Sequence, residues 1–184
     1  MTRIVAGAAK GRRLVVPARG TRPTSDRARE ALFSTLDGLL DLDGARVLDL
    51  YAGTGAVGLE ALSRGAGHVT FVESDRTAAA ILRRNVETVG LLGAQIVISS
   101  VEEYLADVVG APFDLVYLDP PYALDDAALG AVLAGLDAPR WLVAGAVVVV
   151  ERPAQAAQPR WPDVIQSIKQ RRYGAGVLWY GRVK

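Results

Sequence analysis

The chain has 184 residues, is 51% hydrophobic and 22% charged, carries a net charge of +1 and contains no cysteine. That composition fits one soluble globular domain able to bury a full core, and it excludes disulfides, thiolate metal sites and cysteine nucleophiles. The near-zero charge conceals a division. Residues 1–30 hold eight Lys/Arg against two Asp/Glu, residues 31–150 hold six against sixteen, and residues 151–184 hold seven against two. An acidic body between two basic ends suits contact with phosphate backbones, although solvated tails would show the same pattern. No apolar run approaches the ~20 residues of a membrane-spanning helix, and MTRIVAGAAKGRRL lacks the apolar stretch of a secretory signal. A cytoplasmic monomer is expected.

In chain order, TRIVAG and RRLVVP flank AAKG and predict a small two-stranded ribbon, so residues 1–22 are expected to form a basic extension. The catalytic domain is expected over 23–184 and opens with a helix in RPTSDRAREALFSTLDGLL. Pro23 precedes the cap candidates Thr24 and Ser25. Ala28, Leu32, Phe33, Leu36 and Leu39 recur near helical spacing, so one face packs on the body and the basic groups point outward.

Five runs, at 45–51, 68–73, 94–99, 113–119 and 141–151, are almost continuously apolar, the pattern of strands buried on both faces. Helical stretches at 56–64, 75–90, 101–109 and 124–136 alternate with them, which predicts an α/β fold with a mostly parallel, doubly wound sheet. After a connector at 152–162, DVIQSIKQRRY and VLWYGRVK are joined by Gly174-Ala175-Gly176. They read as a hairpin of two antiparallel edge strands.

The first chemical motif follows the first parallel strand. DLYAGTGAVG places glycines at 53, 55 and 58, with Glu73 lying 20 residues after Gly53. That is the fingerprint of a Rossmann nucleotide site, in which the acidic residue receives ribose hydroxyls. Gly53 and Gly55 would let a cofactor approach the backbone, and Gly58 would allow the helix to pack. Asp49 shifts the reading. A carboxylate beside this loop repels a pyrophosphate but favours a cationic amino-acid group, which points to S-adenosylmethionine.

The second motif is LDPPY, Leu118 to Tyr122, at the carboxyl end of the fourth strand. Consecutive prolines fix an extended, rigid loop. Asp119 and the Pro120 carbonyl can accept the two N–H groups of an exocyclic amine, Pro121 stiffens the corner, and Tyr122 can stack on a planar base. Hydrogen bonds to both N–H groups would concentrate the nitrogen lone pair toward an electrophilic methyl, so no metal is needed. The single histidine, His68, stands at a strand start and reads as structural.

With DLYAGTGAVGLEALSRGA, FVESD and LDPPY, the chain resembles S-adenosylmethionine-dependent amino-methyltransferases. RIVAGAAKGRRL and RPTSDRAREALFSTL narrow the resemblance to the RsmD family, along nearly the whole chain. The resemblance implies a sheet with a reversed final strand and methylation of a guanine N2 amine in small-subunit (16S) ribosomal RNA. The implied cofactor set is Asp49, Tyr51, Gly53, Gly55, Glu73 and Ser74, with Ser100 or the Val101 backbone N–H at the adenine. Many relatives of the wider methyltransferase group carry an Asp there, where this chain reads ISSVEEYL.

A base within a helix cannot reach such a corner, so the target must be unpaired or flipped. Arg3, Lys10, Arg12, Arg13, the Arg22–Arg29 segment including Arg27, and Lys169, Arg171 and Arg172 would bind surrounding phosphates; Arg27 and Arg29 read equally well as exposed helix charges. Two other functions share parts of this sequence. A DNA adenine-N6 or cytosine-N4 methyltransferase would use the same corner, but no separate target-recognition domain is evident. A nicotinamide oxidoreductase or a non-catalytic nucleotide-binding module would leave LDPPY and the basic ends unexplained.

Overall fold

The structure is a computed structural model describing residues 2–17, 25–107, 110–137 and 139–184. Arg22, Pro23 and Thr24 therefore lie outside the described residues. A small ribbon, β1 (Thr2–Arg3) with β2 (Arg13–Leu14), precedes α1 (Asp26–Leu36). The alternating body follows as β3 (Arg46–Leu50), α2 (Ala56–Ser63), β4 (His68–Glu73), α3 (Arg76–Val89), β5 (Ala94–Ile98), α4 (Val101–Asp107), β6 (Phe113–Leu118), α5 (Asp126–Gly135) and β7 (Leu142–Pro153). The chain ends in β8 (Ile165–Tyr173) and β9 (Gly176–Val183).

Seven strands form one sheet in the order β5-β4-β3-β6-β7-β9-β8. The first five are mutually parallel, and β9 is antiparallel to both neighbours. The C-terminal segments thus form a hairpin, turned at Gly174 with φ +55°. Of these two strands β8 alone lies at the sheet edge, because β9 inserts between β7 and β8, where it is paired on both sides. The reversed final strand agrees with the family expectation.

Alternation explains the apolar runs. Val47, Val69, Leu115, Tyr117, Val147 and Val149 pack into one layer with α1, α2 and α3. Leu48, Leu50, Val72, Val116, Val148 and Val150 pack into the other with α4 and α5. A strand covered on both faces needs apolar residues at every position. The same expectation fails for β5, which is the opposite edge and exposes Gln95 and Ile98.

Local signals set most element ends. Ser25, Asp75 and Asp125 cap α1, α3 and α5 by accepting the N–H groups of Ala28, Ala78 and Ala128. Gly90, with φ +62°, closes α3.

The N-terminal segment is bound tightly to α2. Glu60, fully buried, accepts the N–H groups of Val5 at 2.7 Å and Ala6 at 2.9 Å. Ser63 accepts the Ala9 N–H and donates to the Ala6 carbonyl. Gly7 has φ +81°, and a Cβ there would lie 1.7 Å from the Ser63 carbonyl oxygen, so no other residue fits. Ile4, Ala9 and Leu14 enter the same core as the sheet.

Arg29 corrects the expectation for α1. It is neither an RNA contact nor an exposed charge, but is fully buried between Asp26, at 2.8 Å, and Glu60, at 4.0 Å. It also donates to the Arg3 carbonyl. Its guanidinium neutralises a carboxylate that has left water, and removing one partner of such a network strands the other charge. In urea unfolding at neutral pH, Arg29→Ala should cost about 3–5 kcal/mol. The exposed neighbour Arg27→Ala should stay within about 0.5 kcal/mol.

Candidate active site

The strand order reverses at β3. The chain moves from β3 outward to β4 and β5, then returns to place β6 on the other side of β3. A crevice opens where successive loops leave in opposite directions, outside the carboxyl ends of the strands. Both sequence motifs converge there, and the Asp119 N–H reaches the Leu50 carbonyl at 3.4 Å.

Register aligns the acids. Val72, Leu50, Leu118 and Val150 lie side by side at the ends of β4, β3, β6 and β7. One residue further along come Glu73, Tyr51, Asp119 and Glu151, and one residue back on β3 is Asp49. Four strands therefore deliver four carboxylates to one edge of the crevice.

Asp49 is 2% exposed and accepts the Gly58 N–H, in the first turn of α2, at 2.9 Å. Burial, reinforced by the charges of Asp119 and Glu73, still holds its carboxyl well above the usual range. Asp119 is pushed up to about 8 by burial and then by Glu151. The Tyr117 phenol donates to Glu151 Oε2. Loss of the phenol proton is opposed first by burial, then by Glu151, Asp119 and Asp49.

The glycine loop divides its work. Gly53, at φ +56°, has open space where a Cβ would stand. Its N–H donates to Glu73 Oε2 at 2.7 Å, while the Asp75 N–H donates to Oε1 at 2.7 Å. The loop is thus tied to the β4 carboxylate, which keeps further lone pairs for a ligand. Gly55, at φ +79°, is the residue preceding α2 and would meet Leu82 at 2.2 Å, so it serves packing as well as the turn. Gly58 would meet the Phe71 ring at 2.3 Å and is the helix-packing position.

Among the described residues, Tyr51 is the non-glycine residue with left-handed φ, at +60°. Strain of this kind persists where the surroundings over-determine it. Burial and then Glu102 push its phenol up to about 12. Ser74 is exposed beside Glu73. Ser100 and Glu103 form a reciprocal cap of α4: Ser100 Oγ accepts the Glu103 N–H, and Glu103 accepts the Ser100 N–H. Val101 opens α4, a position whose N–H has no intrahelical acceptor.

At the fourth-strand corner Pro120 is buried, Pro121 is exposed, and the Leu124 N–H returns to the Pro121 carbonyl at 2.9 Å. Tyr122 is 71% exposed. Arg152, buried beyond Glu151 on β7, pairs with Asp126 at 3.3 Å and so anchors the start of α5 below this corner.

The basic candidates fall into two groups. Lys10, Arg13 and Arg27 are exposed, and Arg3 lies 3.7 Å from Asp26. Arg12 instead donates to the Thr88 and Val89 carbonyls at the end of α3. Lys169, Arg171 and Arg172 are exposed on β8. Through β9, Arg171 lies level with Glu151 and Arg172 level with Arg152. This basic strand end therefore stands at the height of the carboxylates. His68 is at the opposite end of β4, bonded to Thr70 at 2.9 Å.

Sequence reasoning missed three residues. Glu151 and Tyr117 follow from strand register, and the visible signal was a carboxylate ending the valine run of β7. Asn85 is fully buried on α3, where it binds both backbone groups of Val15 and donates to the Thr54 carbonyl at 2.9 Å. It joins the N-terminal segment to the glycine loop. An asparagine on the apolar stripe of α3 was its signal.

Comparison with known proteins gives the family and the fold. Residues 2–182 match the family model described as Conserved hypothetical protein 95. The chain is 38% identical over 161 residues to Ribosomal RNA small subunit methyltransferase D of Escherichia coli, covering 87% of this chain and 79% of the relative. It is 34% identical over 183 residues to Putative rRNA methyltransferase YlbH of Bacillus subtilis, covering 97% of each. The solved structure of the putative methyltransferase yhhF from Escherichia coli superposes with a TM-score of 0.86 at 34% identity, covering 99% of this chain and 97% of that one.

Asp119 makes a stability prediction that needs no ligand. Its folded-state pKa lies above the ordinary value, so folding favours the protonated form. That advantage is complete below about pH 4 and is lost as pH rises through about 8. Asp119→Asn should match the wild type at pH 4 and exceed it above pH 8, by on the order of 2 kcal/mol after solvent screening. Urea unfolding across that range measures the difference.

Proposed function

The chain belongs to the family described as Conserved hypothetical protein 95, the RsmD family, and on that premise we propose that it methylates the N2 amine of a guanine in small-subunit ribosomal RNA with S-adenosylmethionine. The observation that supports this reading most is the joint placement, at one switch point, of a glycine loop bordered by carboxylates and an Asp-Pro-Pro-Tyr corner bearing an exposed aromatic ring. The names of the relatives supply ribosomal RNA as the substrate. The corner suits any exocyclic amine, and the choice of guanine N2 rests on the family resemblance carried by the sequence motifs.

The crevice fits the cofactor. The side of Gly53 that lacks a Cβ faces open space, and the crowded carboxylates suit a ligand bearing positive charge. A dinucleotide pyrophosphate would bring more negative charge beside Glu73 and make ionisation of the crowded Asp49 and Asp119 harder still, an unfavourable pairing. The bound cofactor supplies an electrophilic methyl group on a sulfonium. Glu73 would hold the ribose hydroxyls, Asp49 the amino-acid group, and Ser100 or the Val101 N–H the adenine.

An arylamine nitrogen is a weak nucleophile because its lone pair is delocalised into the ring. The Asp119 carboxylate and the Pro120 carbonyl accept its two N–H groups and turn the lone pair out of the ring plane. Tyr122 stacks on the base and fixes its orientation, so alignment supplies much of the rate enhancement. The target base must leave any helix at a cost of a few kcal/mol. Arg171, Arg172, Lys169 and the exposed basic residues of the N-terminal segment would hold the phosphates around it.

Transfer of labelled methyl to naked ribosomal RNA, small subunits and DNA, followed by nucleoside analysis, tests this reading. Label should appear as N2-methylguanosine from small-subunit RNA; label in DNA, or on adenine, would contradict the assignment. Asp119→Ala should lower transfer by at least about 100-fold while leaving binding of the demethylated product nearly unchanged.

A further inference from the structure

The glycine loop and the N-terminal segment meet at one side chain outside the crevice. We propose that Asn85 is a positioning residue that couples them: a cofactor seated on the loop steadies residues 12–15, so cofactor and RNA strengthen each other's binding. The inference rests on the methyltransferase reading above and deepens it.

Asn85 is fully buried on α3, on a stripe otherwise made of Ala79, Leu82 and Val89. Its Oδ1 accepts the Val15 N–H at 2.8 Å, and its Nδ2 donates to the Val15 carbonyl at 3.0 Å and to the Thr54 carbonyl at 2.9 Å. One N–H facing the acceptor and two carbonyls facing the donors fix the orientation of the amide. Thr54 stands between Gly53 at φ +56° and Gly55 at φ +79°. Glycines on both sides make its carbonyl cheap to reorient, so other groups must hold the loop. The Gly55 N–H is held by the Ala52 carbonyl at 2.8 Å, and the Thr54 carbonyl by Asn85. The Gly53 N–H is held by Glu73, the residue assigned to the ribose. Helix α3 grips the N-terminal segment a second time, because Arg12 donates to the Thr88 and Val89 carbonyls at its end. Arg13, between these two anchors, is exposed, as is Lys10.

A buried amide is satisfied only when all three of these bonds are made. If the glycine loop moves away, one Nδ2 hydrogen is left buried without an acceptor, which is costly. The amide recovers a partner only by opening to water, and that opening also releases Val15. Loop and segment are therefore favoured in place together or loosened together. A cofactor lying over Gly53 binds the ordered state and draws the population toward it. RNA phosphates held by Lys10 and Arg13 bind the same state, because residues 12–15 are fixed only there. Each ligand then raises the affinity of the other by the same factor.

Amide hydrogen exchange and RNA affinity, each measured with and without the demethylated product of the cofactor, test this coupling. The exchange measurement on the wild type needs no variant: the Val15 amide should exchange at least about fivefold more slowly with product bound. Naked small-subunit ribosomal RNA should bind the product-loaded protein at least about fivefold more tightly than the free protein. Asn85→Asp keeps an acceptor for the Val15 N–H but loses both donors and turns a carboxylate toward two carbonyls. Its Val15 amide should no longer respond to product, although the Gly58 amide held by Asp49 still does. Its RNA affinity ratio should fall below about twofold. Its KM for RNA should rise, while single-turnover transfer at saturating RNA and cofactor stays within about threefold of the wild type, because Asp119 and Pro120 are untouched. Lys10→Ala with Arg13→Ala should abolish the RNA ratio and keep the product-dependent protection of Val15, which separates this coupling from direct contact between cofactor and RNA. A Val15 amide indifferent to product, or an RNA ratio as large in Asn85→Asp as in the wild type, overturns the inference. Product-dependent protection of Val15 in a protein that methylates no ribosomal RNA overturns the proposed function instead.

Discussion

The carboxylates gathered at the carboxyl end of the sheet are the constraint on which the rest of the site depends. Parallel register delivers Glu73, Asp119 and Glu151 to one height and Asp49 two residues below. Such a group is costly unless each member finds hydrogen or positive charge. The protein satisfies it in part with the Gly58 N–H on Asp49, the Gly53 and Asp75 N–H groups on Glu73, and the Tyr117 phenol on Glu151. Asp119 is left poorly ionised by burial and by Glu151. Crowded acids of this kind suit a sulfonium nucleoside better than a dinucleotide, although the glycine spacing admits either.

Helix α2 carries both functional ends of the molecule. Its first turn holds Asp49 through Gly58, and its last turn grips residues 5–9 through Glu60 and Ser63. Asn85 on α3 makes a second link, between Val15 and Thr54 of the glycine loop. Residues 5–15 are therefore fastened to the elements that shape the glycine loop, not attached as a loose tail. On the far side of the crevice, β8 raises Arg171 and Arg172 to the level of Glu151. Basic surface thus borders an acidic floor, which suits a substrate that is anionic along its backbone and presents an amine at its reactive point.

What was legible in the sequence was local or periodic. The β3, β4, β6 and β7 strands could be read because residues alternate between two covered faces, and both faces demand apolar side chains. The glycine loop and the LDPPY corner could be read because their conformations restrict residue choice. Pairing between distant segments could not be read. Nothing near Arg29 announces Glu60 as its partner, so a buried cation looked like a surface charge. Nothing in the two C-terminal segments states that β9 lies inside β8, and nothing within β5 marks it as an edge. Glu151 was overlooked for the same reason: its significance appears only when β6 and β7 are set side by side.

An acidic crevice of this kind should favour a cationic nucleoside. Calorimetric affinities of the free protein for S-adenosylmethionine, its neutral demethylated product and NADH, measured in one buffer at pH 8 and moderate salt, decide this. Tight binding of the sulfonium, weaker binding of the thioether and no measurable binding of NADH are expected. Comparable binding of NADH, or indifference to the sulfonium charge, would contradict it.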